Sequence, residues 1–273
     1  MPELPEVQTV INSLKISGIM NKPILGSKIY VHKILKNSNQ TKFNTFLLNE
    51  KIVDITRIGK YIVFNLSSNK FMLFHLRLEG KLFVEKITDE PKQHICAEIS
   101  IKSLALRFYD FRKFGTIHVF ANREEMLNSK EIKKIAIDPL NAEFCGKYLF
   151  DKIKHSSKFV KTAILDQSNV SGIGNIYADE ILFGARISPL RKCNNISLNE
   201  YTSLASLAKT ILLAALEAGG STISTFETPD HTIGSYQDKL MIHKKTHCPI
   251  CNNKTIFIKV NGRGTHHCSK CQK

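Results

Sequence analysis

The sequence predicts an α+β protein of more than one domain, with a strand-rich N-terminal part, a helical middle part and a small metal-binding tail. Short runs rich in Val, Ile, Phe and Tyr recur over residues 28–120, as in an antiparallel sandwich or barrel. Apolar residues then recur at helical spacing over residues 142–218. Two Cys-x-x-Cys pairs lie in the tail, and 273 residues suffice for two domains with sizeable cores.

The first predicted element is a helix that follows the opening sequence MPELPEV. Val7, Val10, Ile11 and Leu14 share one helical face. Pro in the first turn and acids beside it suit a helix start. The predicted strands follow in the runs KIYVHKIL, KIVDITRI, KYIVFNL, FMLFHLRL, AEISI, LALRFYDF and GTIHVF.

A polar and charged stretch at 121–138 is the predicted boundary between the strand-rich and helical parts. The apolar spacing then predicts helices over residues 142–150, 159–166, 176–183 and 197–218. Gly219 and Gly220 would end the last of them. We therefore predict three domains, at residues 1–130, 131–238 and 239–273.

The charge balance indicates a polyanionic partner. The chain has 39 Lys and Arg against 24 Asp and Glu, a formal charge of +15, and a pI near 9.5. Nucleic acid is the usual partner of such a protein, and an anionic membrane surface is the rival. No apolar run of about 18 residues and no leader sequence is apparent, which disfavours the membrane.

The cysteine spacing in the tail predicts one structural Zn²⁺. Cys248, Cys251, Cys268 and Cys271 form two pairs separated by 16 residues, and such a set surrounds Zn²⁺ tetrahedrally, with a hairpin between the pairs. A reducing compartment is expected, where paired cysteines bind metal in preference to forming disulfides. From residue 239 onward the chain carries seven Lys, one Arg and no acid. Phosphate contact explains that charge, and Arg263, between two glycines, would project from a turn toward a phosphate.

The stretch VSGIGNIYADE predicts a bare turn followed by a helix. Gly172 and Gly174 supply the turn, and Asn175 opens the helix. A helix N-terminus with an amide beside it is a sequence-independent phosphate clamp. The alternative is an ordinary Asn cap on a glycine turn.

The stretches RIGKY, HLRLEG and DFRKFG place a cation or His at a strand end beside a glycine. Lys60, His75 and Arg112 hold these positions. Arg112 and Phe114 would share one face if the strand continued through them. A guanidinium beside an aromatic ring suits a gap in a base stack. The alternative is a core Phe and a solvated Arg.

The opening PELPEV has two interpretations. Pro2 either belongs to a helix start, or becomes a secondary amine nucleophile once Met1 is removed. The rest of the sequence decides between them. PELPEV, HLRLEG, DFRKFG, GIGNIYADE and GRGTHHC occur in this order across the whole chain, and together they closely resemble the formamidopyrimidine-DNA glycosylases.

This resemblance implies a bacterial base-excision repair enzyme with an N-terminal β-sandwich domain, a helix-two-turn-helix domain and a C-terminal zinc finger. It implies excision of oxidised purines, 8-oxoguanine and formamidopyrimidines, from double-stranded DNA. An abasic-site lyase step would follow, through a Schiff base on the N-terminal proline and β,δ-elimination. A monomer is expected in the bacterial cytoplasm, associated with the nucleoid and with no membrane partner.

The resemblance also assigns residues. Pro2 is the implied nucleophile and Glu3 the acid that assists sugar-ring opening, while Lys60 and Arg263 are the implied proton donors in the eliminations. Glu6 is a second acid near the nucleophile. The implied DNA-binding residues are His75, Leu78, His94, Arg112, Phe114, Lys161 and Asn175.

One residue departs from the family pattern, and two other functions stay open. Leu78 stands where the family usually has Met in the loop that enters the duplex, so the wedge is less adaptable. An endonuclease VIII-like glycosylase for oxidised pyrimidines shares the implied architecture. A zinc-ribbon protein that binds nucleic acid without catalysis is the alternative outside enzymes. The Ser-, Thr- and Gly-rich loop at 220–236 suits a mobile lid over the flipped base.

Overall fold

The computed structural model describes residues 1–221 and 234–273. The chain folds into two compact units. The first unit is Met1–Lys133 with the described ends of Gly219–Gly234, and the second is Lys134–Ala218 with Ser235–Lys273. Most of the predicted lid at 220–236 lies outside the described residues.

Strands dominate the first unit. They are β1 (Ile24–Ile29), β2 (Ile52–Ile58), β3 (Tyr61–Leu66), β4 (Phe71–His75), β5 (Lys81–Lys86), β6 (Ile95–Ile101), β7 (Leu104–Tyr109) and β8 (Thr116–Phe120). In its described residues they form two antiparallel sheets, ordered β1-β6-β7-β5 and β2-β3-β4-β8. The helices of this unit are α1 (Leu4–Ile16), α2 (Gln40–Leu47) and α3 (Arg123–Asn128), with a 3₁₀ turn at His32–Ile34.

The two sheets share one apolar core, so the first unit is a sandwich rather than a closed barrel. The rings of Phe74 on β4 and Phe108 on β7 meet edge to face across this core, with 5.6 Å between centroids. Buried side chains from both sheets and from α1 and α2 belong to the same cluster. The face predicted for α1 is buried, which confirms that helix.

Four elements of this unit differ from the prediction, and one of them is α3, which lies in the stretch predicted to be the domain boundary. KIYVHKIL contributes only its first two residues to β1, because the chain leaves the sheet after Ile29. The sequence interpretation missed β5, which pairs with β7 along its whole length. It also missed α2, where the Asn39 side chain caps the helix by accepting the Lys42 N–H.

Helices dominate the second unit. They are α4 (Gly146–Ile153), α5 (Val160–Leu165), α6 (Asn175–Gly184) and α7 (Leu198–Glu217), with 3₁₀ turns at Cys193–Asn195 and Tyr236–Lys239. The three later helices begin and end within about two residues of the prediction. The helix predicted from residue 142 begins instead at Gly146. Asp138 and Asn141 accept backbone N–H groups of the preceding turns, and such local bonds compete with a helix.

The tail forms the predicted hairpin, made of β9 (Ile256–Val260) and β10 (Arg263–His267). Asn261 and Gly262 connect the strands, both with positive φ, as a two-residue hairpin turn requires. Arg263 is therefore the exposed first residue of β10 and not part of the turn itself. Among the helices of residues 1–221 and 234–273, none has the length and apolar character needed to cross a membrane.

Candidate active site and nucleic-acid-binding elements

Pro2 and two carboxylates are buried where α1 begins. Glu3 and Glu6 are each only 2% exposed. Glu6 Oε2 accepts the Glu3 N–H at 2.8 Å, which caps the helix. Glu6 Oε1 accepts the backbone N–H of Ser221 at 2.8 Å and its hydroxyl at 3.1 Å. Glu6 thus ties the opening segment to the residues that follow α7 in the chain.

Gly220 is required for that contact. Its φ is +82°, in the left-handed region that glycine favours. A Cβ there would lie 2.9 Å from Glu6 Oε1 and 3.0 Å from Glu6 Cγ. The glycine pair predicted as a helix stop therefore also lets the chain pass against the acid.

The surroundings of the terminal amine favour its neutral form. Burial lowers the pKa of this amine, which Met1 carries, and the charge of Lys60 acts in the same direction. The negative charges of Glu3, Glu6 and Glu79 oppose the shift without reversing it. Glu79, within the motif HLRLEG, is an electrostatic neighbour of the amine that the sequence interpretation did not single out.

Lys60 and His75 are both buried beside this segment. Lys60 lies in the β2–β3 turn after Gly59, whose φ is +57°, and is 5% exposed. His75 ends β4, and its Nδ1 accepts the Arg77 N–H at 2.9 Å. Burial, with the charges of Arg77 and Lys60, lowers the pKa of His75 to about 3. The ring is therefore neutral at pH 7, with its proton on Nε2.

Two loops carry the residues predicted to enter the duplex. We name residues 76–80 the Leu78 loop and residues 110–115 the Arg112 loop. Leu78 is half-buried, while Arg112 and Phe114 are exposed. The Arg112 guanidinium lies over the Phe114 ring, 5.0 Å from its centroid. The pair meets through this stacking and not through a shared strand face, because β7 ends at Tyr109.

Asp110 organises the Arg112 loop from within. Its side chain, 1% exposed, accepts the N–H of Arg112 at 3.0 Å through Oδ1. Its Oδ2 accepts those of Phe114 at 2.8 Å and Gly115 at 2.7 Å. Its own N–H bonds the carbonyl of His94 at 3.1 Å. The exposed His94 ring packs edge to face on Phe111.

In the second unit, the start of α6 and the β9–β10 hairpin meet at the Gly264 carbonyl. The Asn175 amide donates to it at 2.9 Å. Lys161 Nζ donates to it at 3.1 Å, to Thr265 Oγ1 at 2.8 Å and to Asp179 Oδ1 at 2.6 Å. Arg263 directly precedes Gly264, so its exposed side chain projects from backbone that these hydrogen bonds hold in place.

Two adjacent acids of α6 hold the tail. Asp179 is fully buried, and its Oδ2 lies 2.7 Å from His243 Nδ1. Burial raises the pKa of this carboxyl, but hydrogen bonds from His243 and His266 and the Lys161 charge outweigh it, so the pKa lies below its usual value. Glu180 accepts three consecutive N–H groups, those of Met241, Ile242 and His243.

The four tail cysteines gather as metal ligands. Their sulfur atoms all lie within 4.8 Å of one another. Cys248 and Cys271 are 3.8 Å apart, and Cys251 and Cys268 are 3.5 Å apart. A tetrahedron with metal–sulfur bonds of about 2.3 Å has edges of about 3.8 Å. The set therefore fits one tetrahedral ion.

Comparison with known proteins identifies the family. Residues 1–117 match the model of the formamidopyrimidine-DNA glycosylase N-terminal domain, and residues 135–227 match that of its H2TH domain. The formamidopyrimidine-DNA glycosylase of Mycoplasma pneumoniae is 47% identical over 277 residues, which cover 100% of this chain and 99% of that protein. This chain belongs to the formamidopyrimidine-DNA glycosylase family.

Solved structures of the family agree in fold. A Lactococcus lactis FPG mutant in complex with Fapy-dG-containing DNA superposes with a TM-score of 0.93 at 31% identity, over 100% of both chains. The Lactococcus lactis Fpg in complex with abasic-site DNA gives 0.91 at 31% identity, over 99% of both. The predicted fold class is confirmed.

The family resemblance implies DNA contact for Lys161, whereas this structure holds its ammonium inside the protein. Its side chain is fully buried, and its ammonium has Asp179, Gly264 and Thr265 as partners. In this structure it therefore holds the hairpin in place. The sequence offered no signal for this, because Asp179 lies 18 residues away and Thr265 more than a hundred.

The other predicted residues fall into sets by unit. The first unit buries Pro2, Glu3, Lys60 and His75, and of these Glu3 and Lys60 act on the terminal amine. Its loops carry Leu78, Arg112, Phe114 and His94. The second unit joins Asn175 to the backbone beside Arg263, and it contains the cysteine cluster.

Proposed function

We propose that this protein is a bifunctional DNA glycosylase and abasic-site lyase. It removes oxidised purines, chiefly 8-oxoguanine and formamidopyrimidines, from double-stranded DNA. The observation that carries the proposal is the buried opening segment, where Pro2 lies between a terminal amine of lowered pKa and the acid Glu3. Family membership and the Lactococcus lactis complexes with Fapy-dG and abasic-site DNA support the substrate class.

The proposed chemistry begins at the Pro2 nitrogen, which becomes a secondary amine once Met1 is removed. The amine attacks C1′ of the damaged nucleotide, the glycosidic bond breaks, and the base leaves with a proton. Glu3 donates the proton that opens the sugar ring. Loss of a C2′ proton from the iminium ion expels the 3′ phosphate by β-elimination. The 5′ phosphate follows by δ-elimination, with Lys60 and Arg263 as proton donors, and hydrolysis frees the amine.

The surroundings of the amine suit this role. A free α-amine titrates at about pH 7.7–8.0, so part of it is already neutral at pH 7. Burial and the charge of Lys60 lower the pKa of the amine that Met1 carries in this structure, and a Pro2 amine in the same surroundings would be more nucleophilic for the same two reasons. Glu3 and Glu6 limit the shift, and Glu6 also fixes the backbone that carries the nucleophile.

The base must leave the stack before the amine can reach C1′, at a cost of a few kcal/mol. In this proposal Leu78 and Phe114 fill the space that the flipped base leaves, and Arg112 hydrogen-bonds the cytosine left without a partner. Arg112 already stacks on Phe114, so the guanidinium plane and the ring would enter the helix as one unit.

Phosphate contacts are assigned to Lys60, His75, His94, Asn175 and Arg263. Neutral His75 would donate through Nε2, because Nδ1 already accepts the Arg77 N–H. The N-terminus of α6, which begins at Asn175, adds the positive end of a helix dipole. Lys161 supports the hairpin through its hydrogen bonds to Gly264 and Thr265.

One structural Zn²⁺ would be held by Cys248, Cys251, Cys268 and Cys271. With all four positions taken, the ion would cross-link the tail and supply no catalytic chemistry. The domain division at 1–130, 131–238 and 239–273 also remains a prediction. So do the monomeric state and the location at the bacterial nucleoid.

Borohydride trapping on abasic DNA tests the nucleophile. Protein with Met1 removed should form a covalent adduct. Protein that retains Met1, or carries an N-terminal tag, has an amide nitrogen at Pro2 and should form none. Its DNA binding should persist, because the phosphate contacts lie elsewhere. A blocked protein that still traps DNA would make a Lys the nucleophile, with Lys60 the first to test.

The same preparations separate the remaining alternatives. Faster excision of 8-oxoguanine than of thymine glycol supports the purine assignment, and the reverse order makes the protein endonuclease VIII-like. DNA binding without any adduct from the Met1-free protein would leave a non-catalytic zinc-ribbon protein.

A further inference from the structure

The Leu78 loop and the Arg112 loop each end in a glycine, Gly80 and Gly115, and both glycines lie against the same ring. A Cβ on Gly115 would lie 2.3 Å from Cζ and 2.8 Å from Cε1 of Phe108. A Cβ on Gly80 would lie 2.9 Å from Cε2 of the same ring, and 2.5 Å from the carbonyl oxygen of Leu76. Both are closer than van der Waals contact allows, so the two loops share Phe108 as a common support.

Phe108 has little freedom to move. Its ring is 1% exposed on β7 and meets Phe74 edge to face, and Phe74 in turn packs on Phe64. Protein interiors are close-packed, so a displaced ring passes its displacement to whatever touches it. Here the ring atoms Cε1, Cζ and Cε2, which are consecutive at the tip of the ring, face the ends of the two loops.

Asp110 fixes the rest of the Arg112 loop, two residues after Phe108. One carboxylate accepts three backbone N–H groups, those of Arg112, Phe114 and Gly115. An Asn at this position keeps one acceptor oxygen and turns the other into a donor. It would therefore lose bonds at one side of the loop while its size stays the same.

We propose that Phe108 and Asp110 are positioning residues that set the two loops in register, so that Leu78, Arg112 and Phe114 enter the duplex together. The inference rests on the proposed function in one respect, namely that these three side chains fill the gap left by the flipped base. Neither Phe108 nor Asp110 touches DNA. Their role is to place the Arg112 guanidinium where it can read the orphan base.

The first experiment measures excision of 8-oxoguanine opposite C and opposite A. Gly115→Ala pushes against the Phe108 ring and should lower the C-to-A ratio by about 3- to 30-fold, part of what a bidentate base contact contributes. Adding Phe108→Leu removes the crowded ring atoms and should bring the ratio back toward wild type. Arg112→Ala removes the proposed contact with the orphan base and therefore gives the C-to-A ratio expected without that contact.

Gly26→Ala is the matched control. A Cβ there has only an ordinary 3.5 Å contact with Asn44 Oδ1, within the same unit. It should leave the ratio unchanged. If Gly115→Ala also leaves the ratio unchanged, or if Phe108→Leu fails to move the Gly115→Ala ratio toward wild type, Phe108 does not position the loop.

The second experiment separates positioning from stability. Asp110→Asn should lower the ratio. Glu50→Gln alters another buried carboxylate of the first unit, one that accepts the Ser68 N–H and the Ser67 hydroxyl. It should lower the free energy of unfolding without changing the ratio. Equal effects of both variants on the ratio would reduce Asp110 to a general structural role.

The third experiment needs no DNA and therefore tests the coupling even if the proposed function fails. The chain contains no Trp, so Phe114→Trp creates a single fluorescent reporter on the Arg112 loop. Adding Gly80→Ala, which lies on the other loop, should shift its emission and change its acrylamide quenching. Gly26→Ala should do neither. If Gly80→Ala changes neither the emission nor the quenching, the two loops do not share Phe108 as a support. If it changes them in a protein that has no glycosylase activity, only the proposed function is overturned.

Discussion

His75 is a buried histidine kept neutral by its position. It ends β4 beneath the Leu78 loop, and its Nδ1 is occupied by the Arg77 N–H. Tyr61 packs edge to face on the ring. The pKa of His75, at about 3, lies well below its ordinary value of 6.5. A neutral donor at this point can bind a phosphate without adding a charge beside the terminal amine.

This shift makes the stability of the protein depend on pH. Below pH 6.5 the unfolded chain binds a proton at His75 and the folded chain does not, so the free energy of unfolding falls as pH falls toward 3. Between pH 6.5 and 5 the loss from this one group is at most about 2 kcal/mol. His118 and His267, whose pKa values are also lowered by burial, act in the same direction.

Urea unfolding at pH 7 and pH 5 measures the effect. His75→Asn keeps an acceptor for the Arg77 N–H and should lose less stability between the two pH values than wild type. His155 is exposed, so His155→Asn is the control and should follow wild type. Equal losses in all three proteins would show that His75 binds its proton equally in both states.

The surroundings of a single residue can be predicted from the sequence when its partners are near in the chain, and cannot when its partners are distant. Pro2, Glu3 and Glu6 are adjacent in the chain, and their burial together follows from one helix start. The Asp110 side chain reaches residues no more than five positions away, but its three hydrogen bonds depend on a loop shape that no periodicity predicts. The ion pair of Lys161 was not predictable, because its partner carboxylate lies on another helix.

At the scale of elements, a buried ion pair joins α5 to α6, and its two side chains also make hydrogen bonds to the β9–β10 hairpin. Lys161 and Asp179 are both fully buried, and breaking such a pair from one side typically costs 3–5 kcal/mol, so we expect about that loss for Lys161→Met. Gly264 and Thr265, which Lys161 also bonds, lie directly after Arg263.

Two variants distinguish support of the hairpin from phosphate contact. Arg263→Ala should weaken binding to every duplex and lower the slope of log affinity against log salt by about 1, with stability unchanged. Lys161→Met should lower stability and, at a temperature where it stays folded, leave the slope as in wild type. A reduced slope without loss of stability in Lys161→Met would restore Lys161 as a phosphate ligand.

Helices and strands were predicted well where the apolar pattern is long or where the sequence carries a clear capping signal. Ser197 and Glu200 form a capping box at the start of α7, and Gly219 and Gly220 follow its end. Helix α2 was missed because it is short and mostly polar, although Asn39 carries its cap signal. KIYVHKIL has strand-forming residues throughout, yet after Ile29 it forms a 3₁₀ turn, and only Leu35 at its end bridges a strand, at Ile117 of β8.

At the scale of the whole molecule, the tail depends on the rest of the second unit. The sandwich of the first unit has a large apolar core of its own. Within residues 1–221 and 234–273, the apolar cluster of the cysteine module consists of Phe183, Ile242 and the four cysteines. Hydrogen bonds also attach the tail to the helical part of this unit. Gln272 donates to the carbonyl of Ile187, and Glu180 accepts three backbone N–H groups of the tail.

Removal of zinc should therefore cost DNA affinity before it costs the fold. Without the ion, the four cysteines lose the metal–sulfur bonds that join them, the two Cys-x-x-Cys turns open, and the hairpin loses the cross-link that holds Arg263 in place. The expected result is a loss of at least about tenfold in affinity for undamaged and damaged duplexes alike, with a lower salt slope. Circular dichroism should retain the strand signal of the first unit, and Cys268→Ser should reproduce the chelated state. Global unfolding at the chelator concentration that releases the metal would contradict this, and would mean that the tail stabilises the whole chain.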